Sequence, residues 1–233
     1  MTRRRRIMLS AACAVAVAAT ALALEAEQVG AAKKARKGAK AGAQKRGVID
    51  LFNGKDLTGW EPVGGADWKV VDGLLVGKQG PNNAPGDLLT KQSFADFEVV
   101  LTYKCTWPCN SGLWFRYQSP KLAYQADILE YVKPEAYSGT LYSPGYPGGG
   151  KTFMAINLDK TIEKRDDWNT IRVVAQGDHI QIFLNVKKTA DVRDKHVSEG
   201  KIGFQVHPGA QFGPMSITVK EVKLRPLGPA KKE

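Results

Sequence analysis

The sequence predicts an all-β protein, an antiparallel β-sandwich or jelly roll. Three observations carry this: six long segments that alternate or run β-branched, turn signals that separate them, and almost no helix-length apolar period. In order, the long strands are expected at Phe97–Lys104, Gly112–Gln118, Trp168–Gln176, His179–Asn185, Lys201–His207 and Ser216–Arg225. Shorter candidates are Trp68–Val71, Leu74–Val76 and Tyr124–Tyr131. Gln176-Gly177-Asp178, Ser198-Glu199-Gly200 and Pro208-Gly209 supply turns, and the only helix candidate is a short one at Leu158–Arg165. Neither an internal repeat nor a second linker is apparent, so one domain is expected over Val48–Leu227, followed by a short tail, 228–233.

The chain has 233 residues, 43% hydrophobic, 9% aromatic and 24% charged, which excludes wholesale disorder and a collagen-like fibre. Its net charge of +11 is unevenly placed. Residues 1–46 hold 11 Lys/Arg and 2 Glu, leaving 23 basic and 21 acidic residues for the rest. The folded part is nearly neutral, so a nucleic-acid groove built on it is not expected.

Residues 1–30 read as an export signal. Arg3–Arg6 form a basic start, Ile7–Leu24 an apolar stretch, and small residues around Ala21 and Ala23 offer cleavage sites. An uncleaved anchor is the competing reading, since the stretch nears spanning length, but its Ala-rich composition is weakly hydrophobic and favours cleavage. A periplasmic or extracellular location follows. Residues 31–47 are Ala/Lys/Gly-rich, lack the apolar residues needed to build a core, and read as a flexible spacer; envelope contact through their charge is the alternative. In an exported protein Cys105 and Cys109, within CTWPC, are expected to form a local disulfide rather than a metal site.

Gly145–Thr152 satisfies the G-x4-G-K-T pattern of a phosphate-binding loop. Its context does not: Tyr142-Ser143-Pro144 makes no buried strand, and no helical period follows Thr152. No nucleotide partner is expected.

Side chains two apart share a strand face. Leu113, Phe115 and Tyr117 then take one face, and Trp114, Arg116 and Gln118 the other. Ile202, Phe204 and Val206 oppose Gly203, Gln205 and His207, while Gln125 and Asp127 fall together with Glu130 on the other parity unless a bulge intervenes. If the polar faces meet, they form a cleft with an aromatic wall at Trp114, suited to sugar hydroxyls and a sugar ring face. If they do not, they are a solvated outer sheet face.

Leu51-Phe-Asn-Gly-Lys-Asp-Leu-Thr-Gly-Trp60 resembles the opening signature of the 3-keto-disaccharide hydrolase domain family, formerly a domain of unknown function. Further pieces follow in order: Trp68–Gly73, Phe94–Glu98, Asn110–Arg116, Tyr124–Glu130, Ser138–Tyr142, Trp168-Asn169, Gly200–His207 and the last strand to Leu224. The resemblance implies a concanavalin A-like jelly roll and an exported, saccharide-active protein. It also implies that Asn110 and Tyr142 contact the saccharide together with Trp114, Gln125 and Gln205.

The chain departs from the family pattern in two places. Tyr124-Gln125-Ala126-Asp127-Ile128-Leu129-Glu130 replaces a usual Tyr-Glu-x-Gln-Ile-Leu-Asp, and Asn185-Val186 replaces an Asn-Gly turn. The first exchange points to an altered activity or substrate.

Cleavage of a 3-keto-glycoside needs a base for the C2 proton, made acidic by the ketone, and stabilisation of the enolate while the C1 aglycone leaves. The candidates are His207 or Asp127 as base and Arg116 as anion stabiliser, with a divalent cation on Asp127, Glu130 and His207 as a substitute Lewis acid. The rival function is a lectin-like module that binds saccharide in the same cleft without a base.

Overall fold

The computed structural model describes residues 47–145 and 152–229. The leader, nearly all of the basic linker and the centre of the Gly145–Thr152 run lie outside the described residues.

In chain order the strands are β1 (Ile49–Asp50), β2 (Trp60–Gly64), β3 (Asp67–Val71), β4 (Leu74–Lys78), β5 (Gly86–Phe94), β6 (Phe97–Thr106), β7 (Asn110–Ser119) and β8 (Leu122–Val132). They continue as β9 (Glu135–Ser143), β10 (Thr152–Asn157), β11 (Asn169–Gln176), β12 (His179–Leu184), β13 (Lys187–Arg193), β14 (Gly200–Val206) and β15 (Ser216–Pro226). Two antiparallel sheets result. One runs β13-β12-β11-β6-β15-β4-β3 with β1 added on β15; the other runs β10-β9-β8-β7-β14-β5-β2. This is the expected all-β sandwich, of the class seen in concanavalin-like lectins.

Alternation builds the core. Val99, Leu101 and Tyr103 of β6 meet Leu113 and Phe115 of β7, Ala126 and Ile128 of β8, and Phe204 of β14, all fully buried. Each large apolar side chain so buried contributes about 1.5–3 kcal/mol. The loop before β2 is fixed locally: Asn53 Oδ1 accepts from the backbone N–H groups of Lys55 and Asp56, and the Trp60 indole donates to Leu51 O.

The predicted long strands all form, within two residues at each end. Two expectations fail. Leu158–Arg165 is a run of turns, because Asp159 Oδ1 accepts from Thr161 N–H and Asn169 ties both the N–H and the C=O of Lys164. Secondly, β7 does not alternate to its end. Arg116 adopts φ +49, and the β7–β8 register breaks between Phe115 and Ser119. This bulge turns two successive side chains, Phe115 and Arg116, inward, and every later residue changes face. Gly200 lies against it; a Cβ there would meet Arg116 C at 2.3 Å. Thr152 opens strand β10, where a phosphate-binding loop requires a helix.

Candidate functional site

The outer face of the seven-stranded sheet carries a cleft of about 440 Å³. Strand register lays out its floor. Gln205 stands opposite Asp87 on one side and Gly112 on the other, and Gly112 stands opposite Asp127. The next row on the same face pairs Trp114 with Gln125, and Gln125 with Tyr142. Beyond the floor, His207 N–H donates to Asn110 O, and Asn110 pairs with Leu129. Gly112 leaves the room over which the Gln125 amide donates to Gln205 Oε1 at 3.3 Å; a Cβ there would meet Gln125 Cδ at 2.6 Å.

One wall is aromatic. Tyr131, Phe153, Tyr142, Trp114 and Tyr117 form an unbroken chain of edge or tilted contacts, with successive centroids 5.6–6.4 Å apart. Tyr117 joins it because of the bulge, which moves it out of the core face where simple alternation put it.

Two carboxyls give the cleft its electrostatics. Asp127 is 2% exposed, and its Oδ2 has no hydrogen-bond partner. Burial pushes its pKa well above the ordinary carboxylate value, so its neutral, protonated form is favoured. Asp87 is pushed up to about 6 by burial, against the opposing pull of the Trp114 indole, which donates to its Oδ1 at 2.9 Å. Tyr142 is pushed up to about 12 by burial, with Asp127 adding to the shift, and Tyr131 is raised by burial despite the hydrogen bond from Asn110. At the rim, His207 Nδ1 lies 2.7 Å from Pro208 O. A carbonyl only accepts, so in the neutral ring Nδ1 carries the hydrogen and Nε2 the lone pair.

A wider hollow of about 540 Å³ lies beside Lys104–Trp107. Neither Asp127 nor Asp87 lines it; both buried carboxyls line the cleft.

A family model for the 3-keto-alpha-glucoside-1,2-lyase-like domain matches residues 47–225. The chain belongs to that family. No curated protein matches it. Among solved structures, a protein of Parabacteroides distasonis ATCC 8503, named as a candidate glycosyl hydrolase, superposes with TM-score 0.57 at 21% identity, covering 78% of this chain and 94% of that one. The carbohydrate binding module CBM66 of Bacillus subtilis gives TM-score 0.54 at 19% identity, covering 71% and 94%. The metal-free carbohydrate recognition domain of Emp46p gives 0.57 at 18%, covering 76% and 94%. At such identities these likenesses concern the fold alone.

Within this lyase-like domain the structure gathers Trp114, Asn110, Gln125, Asp127, Tyr142, Gln205 and His207 around one cleft. Three expectations are corrected. Arg116 is not in the site: it is fully buried on the core side, donating from Nε to Ala95 O and from Nη1 to Val197 O and pairing with Asp96 at 3.4 Å. The bulge turned it inward, so it cannot stabilise an anion in the cleft. Glu130, on the parity opposite Asp127, pairs with Arg165 beside Trp107. The cation set Asp127, Glu130 and His207 therefore does not converge, and among the described residues no three His, Cys, Asp or Glu gather to hold a metal. Lastly, Cys105 and Cys109 are free thiols here rather than a bridge. Burial raises the Cys105 thiol well above its usual value, and the hydrogen bond with Cys109 raises it further.

Sequence reasoning missed Asp87, Tyr117 and Tyr131 as cleft residues. Tyr131 was legible, since it shares the parity of Gln125 and Asp127. Asp87 was not, because Gly86–Phe94 (GDLLTKQSF) does not alternate and its strand was not anticipated.

Proposed function

We propose that this domain is an exported carbohydrate-active enzyme that cleaves 3-keto-glycosides by elimination and hydration. The observation that carries the reading is the buried Asp127 carboxyl, with Oδ2 unpaired, in the lining of an aromatic-walled cleft. A carboxylic acid kept neutral is a hydrogen-bond donor for oxygen that gains negative charge.

In this reading His207 Nε2 removes the C2 proton of the 3-keto ring. The electron pair left on C2 delocalises as an enolate onto the C3 oxygen, which receives a hydrogen bond from protonated Asp127. Collapse of the enolate expels the C1 substituent, whose oxygen takes up the proton carried by His207. Water then adds to the unsaturated sugar, completing a net hydrolysis. Gln205, Gln125 and Asn110 orient ring hydroxyls, and the rings of Tyr131, Tyr142 and Phe153 cover the ring face. No step uses a metal, because the donor set does not converge.

A lectin-like module is the second reading. The Gln125–Gln205 amide pair on the floor binds hydroxyls and needs no proton transfer to do so. Incubation with a 3-keto-glucoside separates the two. Elimination releases the aglycone, and Asp127→Ala, which removes the donor, reduces the rate about 10²- to 10³-fold while binding persists. Binding without release in the unaltered protein favours the lectin.

A further inference from the structure

The cleft is longer than one reaction centre needs. Asp127 on β8 and Asp87 on β5 are separated by β7 and β14, three strand spacings of about 4.8 Å each. The chemistry assigned above uses Asp127 on β8 and His207 just beyond the end of β14. Asp87 on β5 has no part in it, yet it is tied into the site. Its Oδ1 accepts the indole N–H of Trp114, which reaches it across β14 at Gly203, where no side chain intervenes. Trp114 is 4% exposed and packs with Leu89, Tyr117 and Ala123, so its indole holds the carboxyl in place rather than the reverse. One carboxylate oxygen is thereby fixed, and the carboxyl as a whole lines the cleft.

We propose that Asp87 is a specificity-determining residue: its outer oxygen accepts from a vicinal diol of a second, hydroxylated ring, held between Trp114, Tyr117 and Gln205 on the leaving side of the bond. This rests on the elimination reading, which it deepens by assigning the leaving side. A carboxylate accepts two hydroxyl donors where a neutral amide accepts fewer, and charge-assisted bonds are the stronger kind. An apolar aglycone placed here would leave a partly buried carboxylate without its hydroxyls, a mismatch that selects against it. The titratable groups around Asp87 are Tyr117 on β7, raised to about 12 by burial with Asp87 adding to the shift, and His207 just beyond the end of β14; its partner strand β2 presents Val63 opposite it. Ionised Asp87 is the accepting form. Its contribution is present above about pH 6 and lost as the pH falls through that value.

The test uses two probes on the full chain, a 3-keto-disaccharide and the methyl 3-keto-glucoside, with the unaltered protein and Asp87→Asn. Asparagine still accepts the indole hydrogen bond, so unchanged tryptophan fluorescence reports that Trp114 is in place. The expected result is a fall in kcat/KM for the disaccharide of about 10- to 100-fold, with the methyl glucoside changed less than threefold. Equal losses on both probes overturn the proposal and leave the elimination reading intact. If the unaltered protein turns over neither probe, the elimination reading fails. Calorimetric binding of the same two probes then decides the proposal: a disaccharide advantage lost in Asp87→Asn supports it, and no advantage overturns it.

Discussion

Asp127 and Arg116 are both buried and polar, and the difference between them separates function from architecture. Every nitrogen type of Arg116 has a named acceptor or a carboxylate beside it. Removing it leaves two backbone carbonyls without their donor and Asp96 with the Gly177 N–H but without its cation. Arg116→Ala should therefore cost roughly 3 kcal/mol or more, lowering the melting temperature by about 10 °C, with turnover per folded molecule unchanged. A selective loss of turnover at unaltered stability would instead return Arg116 to the site. Asp127 has no such partners, and its isolation carries a stability cost with a definite sign. Its folded pKa lies above the unfolded value, so above about pH 4 the native state keeps a proton that the unfolded state has lost, and stability falls as the pH rises through that window. Asp127→Asn cannot ionise and escapes this fall. Thermal unfolding should show the variant level with the unaltered protein near pH 4 and more stable at pH 8. A variant less stable at pH 8 would mean that the carboxylate has a stabilising partner in the native state.

At the scale of strands, the cleft depends on two irregular positions in β7. The bulge at Arg116 sends Tyr117 to the aromatic wall, and Gly112 leaves the floor open. Alternation made Trp114, Gln125, Asp127, Gln205 and His207 legible, because the first four lie on regular stretches of strand and His207 directly follows one. It failed at Arg116 and Tyr117, since a bulge depends on its partner strands, here on Gly200 fitting against the Arg116 backbone, and those partners are distant in sequence. β5, β9 and β10 also escaped. Gly86–Phe94 and Glu135–Ser143 bury residues on both faces along part of their length, and a strand covered on both sides loses its period of two. Gly112→Ala tests the floor directly. The atoms its methyl would strike belong to the flexible Gln125 side chain, so the fold should tolerate it with less than about 1 kcal/mol lost. Saccharide affinity measured by calorimetry should fall at least tenfold, because Gln125 is driven from Gln205. Undiminished affinity would show that the amide pair takes no part in binding.

Across the whole molecule, two sheets share one core, and the outer face of one of them is free to carry chemistry. The eight-stranded sheet spends its outer face on ion pairs such as Glu98 with Arg172 and Arg225. The seven-stranded sheet buries Asp127, Gln125 and Asn110 on its outer face instead, under an aromatic wall. Buried polar groups with unpaired atoms cost stability, and a ligand able to satisfy them recovers it. The central claim is that this protein performs proton transfer on a 3-keto sugar as well as holding it. The direct measurement is release of a chromogenic aglycone from a 3-keto-glucoside between pH 5 and 9, with calorimetric binding recorded alongside. The account predicts release by the unaltered protein, at least a hundredfold loss in both Asp127→Ala and His207→Ala, and binding kept within tenfold in each. Tight binding by the unaltered protein without release at any pH in that range would contradict it.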